Sequence, residues 1–221
     1  AYQDVYSMMN FTEKLFRYVA DLTGQLQFEY AGNKIDLSQP FKKKSMFSLL
    51  TQYTDTDTSK MNLKNLIQLA QSKSLDLPDG MNYGQVLDKL FGELVEPNLI
   101  APIFVTDYPK SISPLAKENR DGKKDIVERF ELFIAGMELA NSFSELNDPI
   151  EQRKRLELQA QLKAKGDQEA QVVDENFLNA MEVGMPPTGG VGIGVDRLIM
   201  LFTQQLSIKD VILFPTLRQE E

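Results

Sequence analysis

The sequence predicts an α+β fold, an antiparallel sheet flanked by helices, and three features point that way. Residues 189–195 alternate glycine with branched apolar side chains, the two-residue period of a strand. Residues 130–135 and 139–146 are two more strand-like runs, joined across Gly136 and Met137 as a hairpin. Around these runs, apolar side chains recur every three or four residues, the period of helices that bury one face.

In chain order, Met8, Met9, Phe11, Leu15, Phe16, Val19 and Leu22 mark one face of a first helix, which Gly24 ends. Leu26, Phe28 and Tyr30 then alternate, residues 31–34 turn the chain, and Ile35 and Leu37 return as the second strand of a hairpin. Lys42, Lys43 and Lys44 read as a solvated edge more readily than as a phosphate contact. Ser45 caps a short helix carrying Met46, Phe47, Leu49 and Leu50. The polar loop at 54–59 has two aspartates but lacks the glycine and terminal glutamate of a calcium loop. Helices over 63–70 and 83–95, separated by Pro78, Asp79 and Gly80, make a helical insertion over about residues 60–96.

Residues 99–105 are a short apolar strand in which Pro102 argues for an edge or a bulge. An extended connection over 108–117 and a charged loop over 118–125 lead into the hairpin. Asp148 and Pro149 start a charged helix that runs to Lys165, stops near Gly166 and reads as a solvated arm. A further helix over 174–182 returns the chain through Pro186 and Pro187 to the glycine strand. Leu198, Ile199, Met200, Leu201 and Phe202 read as a buried helix, and residues 207–215 as a short apolar segment closing the sheet.

With 221 residues and 42% hydrophobic content, the chain can bury one sizeable core, so a single domain is expected. A net charge of -8 opposes nonspecific attraction to phosphate backbones. The absence of cysteine removes disulfides and thiolate metal sites, and with no leader or long apolar span the expectation is a soluble cytoplasmic protein with no membrane partner. Without histidine, any chemistry must run on positioning and electrostatics.

Gly190, Gly192 and Gly194 leave one face of their strand as bare backbone while Val191, Ile193 and Val195 face a core. Glycine in a strand gives up packing and costs entropy, so the flat face suits a planar group that must approach the backbone. Arg197 follows where strand gives way to helix, and its guanidinium would suit a polyphosphate or a stacked ring beside that face. The run is therefore a candidate floor for a nucleoside triphosphate; a tightly packed strand with a surface arginine is the plain alternative. It lacks both the P-loop lysine and the dinucleotide glycine spacing.

Asn141, Phe143 and Glu145 are spaced by two and share a strand face. An aromatic surface can cover an aliphatic stem while a carboxylate pairs with the ammonium at its end and an amide fixes a carboxylate or amine, as recognition of free lysine requires. The alternative is a wet face with Asn141 and Glu145 in solvent and Phe143 under a loop. Glu131 and Glu138 bracket the hairpin turn, and two close carboxylates repel unless a cation sits between them. A magnesium ion held by such a pair and by nucleotide phosphates suits that arrangement.

The segment GMPPTGGVGIGVDR over 184–197 resembles the third signature motif of class II aminoacyl-tRNA synthetases, in the form carried by lysyl-tRNA synthetases. The segment RFELFIAGMELANSFSELNDP over 129–149 is similar to that family's lysine-pocket segment. The resemblance covers the whole chain, weaker over 25–90 and stronger from Ser113 onward. It implies that residues 1–221 are the carboxy-terminal portion of a class II catalytic domain, with motifs 1 and 2 and the anticodon-binding domain absent.

The implied activity is lysine–tRNA ligation with ATP as substrate and Mg2+ as cofactor, the partners being lysine, tRNA(Lys) and a second copy in a homodimer when complete. A fragment with half its site is expected to be inactive alone. Residue by residue, the resemblance implies that Glu131 and Glu138 hold the metal and that Glu131, Gly192, Gly194 and Arg197 bind ATP. It also implies that Glu138, Asn141, Phe143 and Glu145 bind lysine, that Arg197 is the catalytic residue at the terminal phosphate, and that Lys117 is a contact near the site entrance. A related ligase that attaches lysine to a protein, and a noncatalytic dimerisation or regulatory fragment, are the alternative functions.

Overall fold

The structure is a computed structural model that describes residues 1–78, 80–164 and 170–214. Helix α1 (Val5–Thr23) opens the fold, with the Asp4 side chain accepting from the Ser7 amide at its start and Gly24 in a left-handed conformation at its end. Its buried face is Val5, Met9, Thr12, Phe16 and Ala20. Phe11 and Leu22, expected inside, are exposed, because the apolar stripe is wider than the surface available to cover it.

A two-stranded hairpin, β1 (Gln27–Tyr30) and β2 (Asn33–Asp36), precedes a five-stranded sheet. The sheet order is β3 (Lys42–Ser45), β4 (Ile103–Thr106), β5 (Arg129–Ile134), β6 (Met137–Ser144), β7 (Gly189–Ile193). Four of these strands pair antiparallel as expected, but β3 and β4 run parallel. The reason is the connection between them. Parallel neighbours need a long crossover, and α2 (Met46–Thr54), α3 (Leu63–Ser72) and α4 (Tyr83–Leu94) supply it.

The three lysines of β3 are exposed on the sheet edge. Pro102 marks neither an edge nor a bulge: β4 lies between two strands, and Pro102 stands just outside it, offering only its carbonyl to the Lys42 amide at 3.2 Å.

The sheet divides the core in two. One face packs Ile103, Val105 and Phe133 against α2, α3 and α4 through residues such as Leu49, Leu66, Leu90 and Phe91. The other packs Phe104, Phe130, Leu132, Ile134, Leu139 and Ala140 against α1, the first hairpin, and Leu201 and Phe202 of the last helix. Val191 and Ile193 join this second cluster as expected. Val195 and Ile199, also expected inside, are exposed, because the chain has turned into its last helix at Val195 and only Met200, Leu201 and Phe202 of that helix are buried.

Helix α5 (Pro149–Ala164) is less solvated than its composition suggests. Gln152, Arg155 and Leu156 are buried, and Gln152 and Arg155 donate to the carbonyls of Pro114 and Ala116. Its expected end at Lys165 and Gly166 lies outside the described residues, as does Asp79. Helix α6 (Glu175–Gly184) leads to β7, and α7 (Val195–Thr203) starts directly after it. The last segment does not close the sheet: it forms a single 3-10 turn at Ile208–Asp210 with Leu213 and Phe214 exposed, and Pro215 is outside the described residues. Among the described residues, no helix is long and apolar enough to cross a membrane.

Candidate functional site

Register decides which side chains meet. β5 and β6 pair Arg129 with Phe143 and Glu131 with Asn141, so these four residues share one face. β6 and β7 pair Asn141 with Gly192 and Phe143 with Gly190, which sets bare backbone beside each. Strict alternation would put Glu138 on the opposite face from Asn141. A register shift at Leu132/Phe133 instead pairs Phe133 with Glu138, so Leu139 and Ala140 both turn into the second core and Glu138 rejoins the site face.

Glu131 is buried and doubly bound. It accepts from Arg129 Nη2 at 2.5 Å and from the Tyr108 hydroxyl at 2.6 Å. Burial, with Glu131 beside it, drives the Tyr108 hydroxyl far up. Glu138 is pushed above the usual carboxylate range by burial and then by Glu131, with Arg197 opposing. Arg197 Nη1 donates to the Glu138 carbonyl oxygen at 2.7 Å and lies 3.7 Å from its carboxylate. Glu96, in the turn after α4, joins the same field: burial first, then Glu131, Asp88 and Glu138, raise it to about 7. Glu131 helps to raise both Glu138 and Glu96, so a cation among these carboxylates would favour their ionised forms. Among the described residues, no group of three or more acidic, histidine or cysteine side chains could hold a metal ion. A metal held by Glu131 and Glu138 would need its remaining ligands from outside these side chains.

Glu145 continues the alternation beyond Phe143. Its amide donates to the Thr188 carbonyl at 2.8 Å, its carboxylate occupies the space that a side chain at Gly190 would need, and burial raises it. A Cβ added at Gly192 would meet only the Asn141 carbonyl oxygen, at 3.9 Å, and one added at Gly194 would lie 3.6 Å from Arg197 Cδ.

Glu131, Glu138, Asn141, Phe143, Glu145, Gly192 and Gly194 thus lie along one ribbon of sheet headed by Arg197. Lys117 donates to Asn147 at 2.9 Å and shares with Glu145 a cavity of about 290 Å³ at the other end from Arg197. A larger cavity of about 1180 Å³, between α5 and residues 107–126, contains none of the predicted site residues. Apart from Glu145 and Lys117, the predicted site residues line neither cavity.

The sequence reading missed Arg129, Tyr108 and Glu96. Arg129 carried a signal, since it stands two residues before Glu131 and must share its face. Tyr108 and Glu96 arrive from separate connections and carried none.

The whole chain settles the class of protein. The family model described as tRNA synthetases class II (D, K and N) matches residues 1–218, and the chain belongs to that family. Within it, the chain is 49% identical over 220 residues to the lysine–tRNA ligase of Thermoanaerobacter pseudethanolicus, covering 99% of this chain and 44% of that relative. It is 51% identical to the lysine–tRNA ligase of Trichormus variabilis, with 40% of that relative covered, and 46% identical to that of Porphyromonas gingivalis, with 38% covered. The chain spans less than half the length of these relatives.

Proposed function

We propose that this chain supplies the ATP- and lysine-binding face of a lysine–tRNA ligase, as the carboxy-terminal portion of its catalytic domain with a helical insertion over about 60–96. In that reaction a lysine carboxylate oxygen attacks the α-phosphorus of ATP and pyrophosphate leaves, giving lysyl-adenylate; a terminal ribose hydroxyl of tRNA(Lys) then attacks the lysyl carbonyl, the acyl–phosphate bond breaks and AMP leaves. The observation that carries the reading is the single ribbon joining three glutamates, Asn141 and Phe143 to bare glycine backbone and Arg197.

Glu145, held at the end of the ribbon, pairs with the side-chain ammonium of lysine, and Phe143 covers the stem. Asn141 turns its amide toward the amino-acid head, and Glu138 faces the α-amino group. Gly192 and Gly194 underlie the nucleotide, and Arg197 takes its terminal phosphate. Glu131 and Glu138 fit a magnesium ion that keeps phosphate and water ligands, and that ion would supply neutralisation of the phosphate charge. The residues orient and stabilise charge, and no covalent bond to the protein forms. The complete protein works in the cytoplasm as a homodimer.

The test is a hybrid in which residues 1–221 replace the matching stretch of the Thermoanaerobacter relative. It should exchange pyrophosphate with ATP in a lysine-dependent way, whereas the chain alone binds ATP–magnesium weakly and exchanges nothing. Glu145→Gln should raise the lysine KM roughly tenfold to a hundredfold, the worth of a hydrogen bond to a charged group, and leave the KM for ATP in place. Because burial raises Glu145, lysine affinity should fall on acidification from above the ordinary carboxylate range. A folded hybrid that is inactive, or that responds to aspartate or asparagine in place of lysine, would defeat the reading.

A further inference from the structure

Glu131 and Asn141 serve different ligands in the reading above, one the cation and nucleotide, the other the amino acid. One guanidinium holds both. Arg129 Nη2 donates to Glu131 Oε1 at 2.5 Å, and its Nε donates to Asn141 Oδ1 at 3.2 Å. Nη1 is tied to the Ile112 carbonyl at 3.0 Å and the Ser113 hydroxyl at 2.9 Å. The guanidinium carbon lies 4.6 Å from the centroid of the buried Tyr108 ring, whose hydroxyl takes the second Glu131 oxygen.

Two consequences follow from donor chemistry. A guanidinium carries five N–H donors and no acceptor, so the Asn141 atom facing it is the oxygen. That leaves Nδ2 as a donor with no protein acceptor among the described residues. Second, a lysine in this position could not reproduce the arrangement, because one ammonium on a flexible stem cannot stack on a ring and also span a carboxylate, an amide, a carbonyl and a hydroxyl.

We infer that Arg129 is a positioning residue that couples the two subsites, fixing the Glu131 carboxylate for the nucleotide side and the Asn141 amide for the amino-acid side. This rests on the roles given to Glu131 and Asn141 above. Tyr108 supports only the first arm, since its hydroxyl touches Glu131 alone among the residues with site roles.

Three variants of the hybrid separate this from a general structural role. Arg129→Gln should raise both the half-saturating magnesium concentration and the lysine KM, each by about tenfold to a hundredfold, the usual loss when an outer partner of a ligand is removed. Tyr108→Phe should raise the magnesium requirement and leave the lysine KM alone. Arg129→Lys should recover part of the magnesium response and none of the lysine KM, and it carries the test if the glutamine variant fails to fold.

A ligand-free readout accompanies the kinetics. In the 221-residue chain, 15N relaxation of the Asn141 side-chain amide should report a restrained group that becomes mobile in both Arg129 variants and stays restrained in Tyr108→Phe. The inference is overturned if Arg129→Gln lowers only kcat, if it moves the same parameter as Tyr108→Phe and no other, or if the amide is equally restrained in all variants. Absence of lysine-dependent exchange in the parent hybrid would count against the proposed function, while the amide relaxation would still decide the role of Arg129.

Discussion

Gly192→Ala distinguishes a ligand floor from a strand that is merely well packed. An added methyl there meets nothing nearer than the Asn141 carbonyl oxygen at 3.9 Å, an ordinary contact, and the residue is not in the left-handed region. Alanine loses less chain entropy on folding than glycine, which favours the variant by roughly 0.5–1 kcal/mol. For a domain of this size, the melting temperature should rise by about 1–4 °C. A planar group lying on the strand would feel the same methyl as overpacking, at a cost of about 1–3 kcal/mol. At 1.4 kcal/mol per tenfold, that is roughly a 5- to 150-fold rise in the Kd for ATP–magnesium.

Thermal melts of the chain and calorimetric ATP titration of the hybrid measure the two sides. Gly189→Ala is the contrast. Its methyl would fall 2.8 Å from the Asp4 carbonyl oxygen and 2.9 Å from Met8 Cγ, so α1 must shift. It should cost about 1–3 kcal/mol of stability and leave ATP affinity alone. If Gly192→Ala raises the melting temperature and ATP binds as before, the glycine alternation is not a nucleotide floor.

Two further outcomes concern pH. Glu96, raised to about 7 from 4.5, holds its proton in the folded state where the unfolded state has released it. Stability from this group is complete below the unfolded value and is lost as pH rises through 7. The shift corresponds to about 3 kcal/mol, reduced to roughly 1 kcal/mol because Glu96 is only partly buried. Glu96→Gln should therefore be more stable than its parent at pH 8 and equal to it at pH 4, by denaturant titration; destabilisation at pH 8 would contradict the assignment.

Glu128 behaves oppositely. Burial alone would raise it, but hydrogen bonds from Arg120 and Ser144 outweigh burial and hold it low. Its stability is present above the ordinary carboxylate pKa and is lost on acidification. Glu128→Gln should cost about 3 kcal/mol at neutral pH, the low end for a buried pair because Arg120 is half exposed, and should flatten the acid limb of the stability profile. A neutral variant with an unchanged acid limb would show that the pair contributes nothing.

The strands of the site were legible because alternation is local. Asn141, Phe143 and Glu145 share a face in any extended chain, and glycine opposite branched residues in 189–195 reports one bare and one buried side without knowledge of the neighbours. The parallel pairing of β3 was not legible. Its lysines read as an edge, as they are, but which strand they border depends on a crossover of three helices. The charged face of α5 hid Arg155 for a related reason: a buried arginine looks like a solvated one until the carbonyl that accepts from it is known.

By itself, the sequence determined the class of fold, the glycine ribbon and the identity of the acidic and amide side chains around it, because these follow from residue type and from a period of two. Only the tertiary structure decided that Glu138 lies on the same face as Asn141, and that Arg129, Tyr108 and Glu96 belong to that neighbourhood. The physical reason is that a single extra residue in a strand reverses the face of everything beyond it. Hydrogen bonds between distant segments depend on a register that two strands set together, and neither strand encodes it alone.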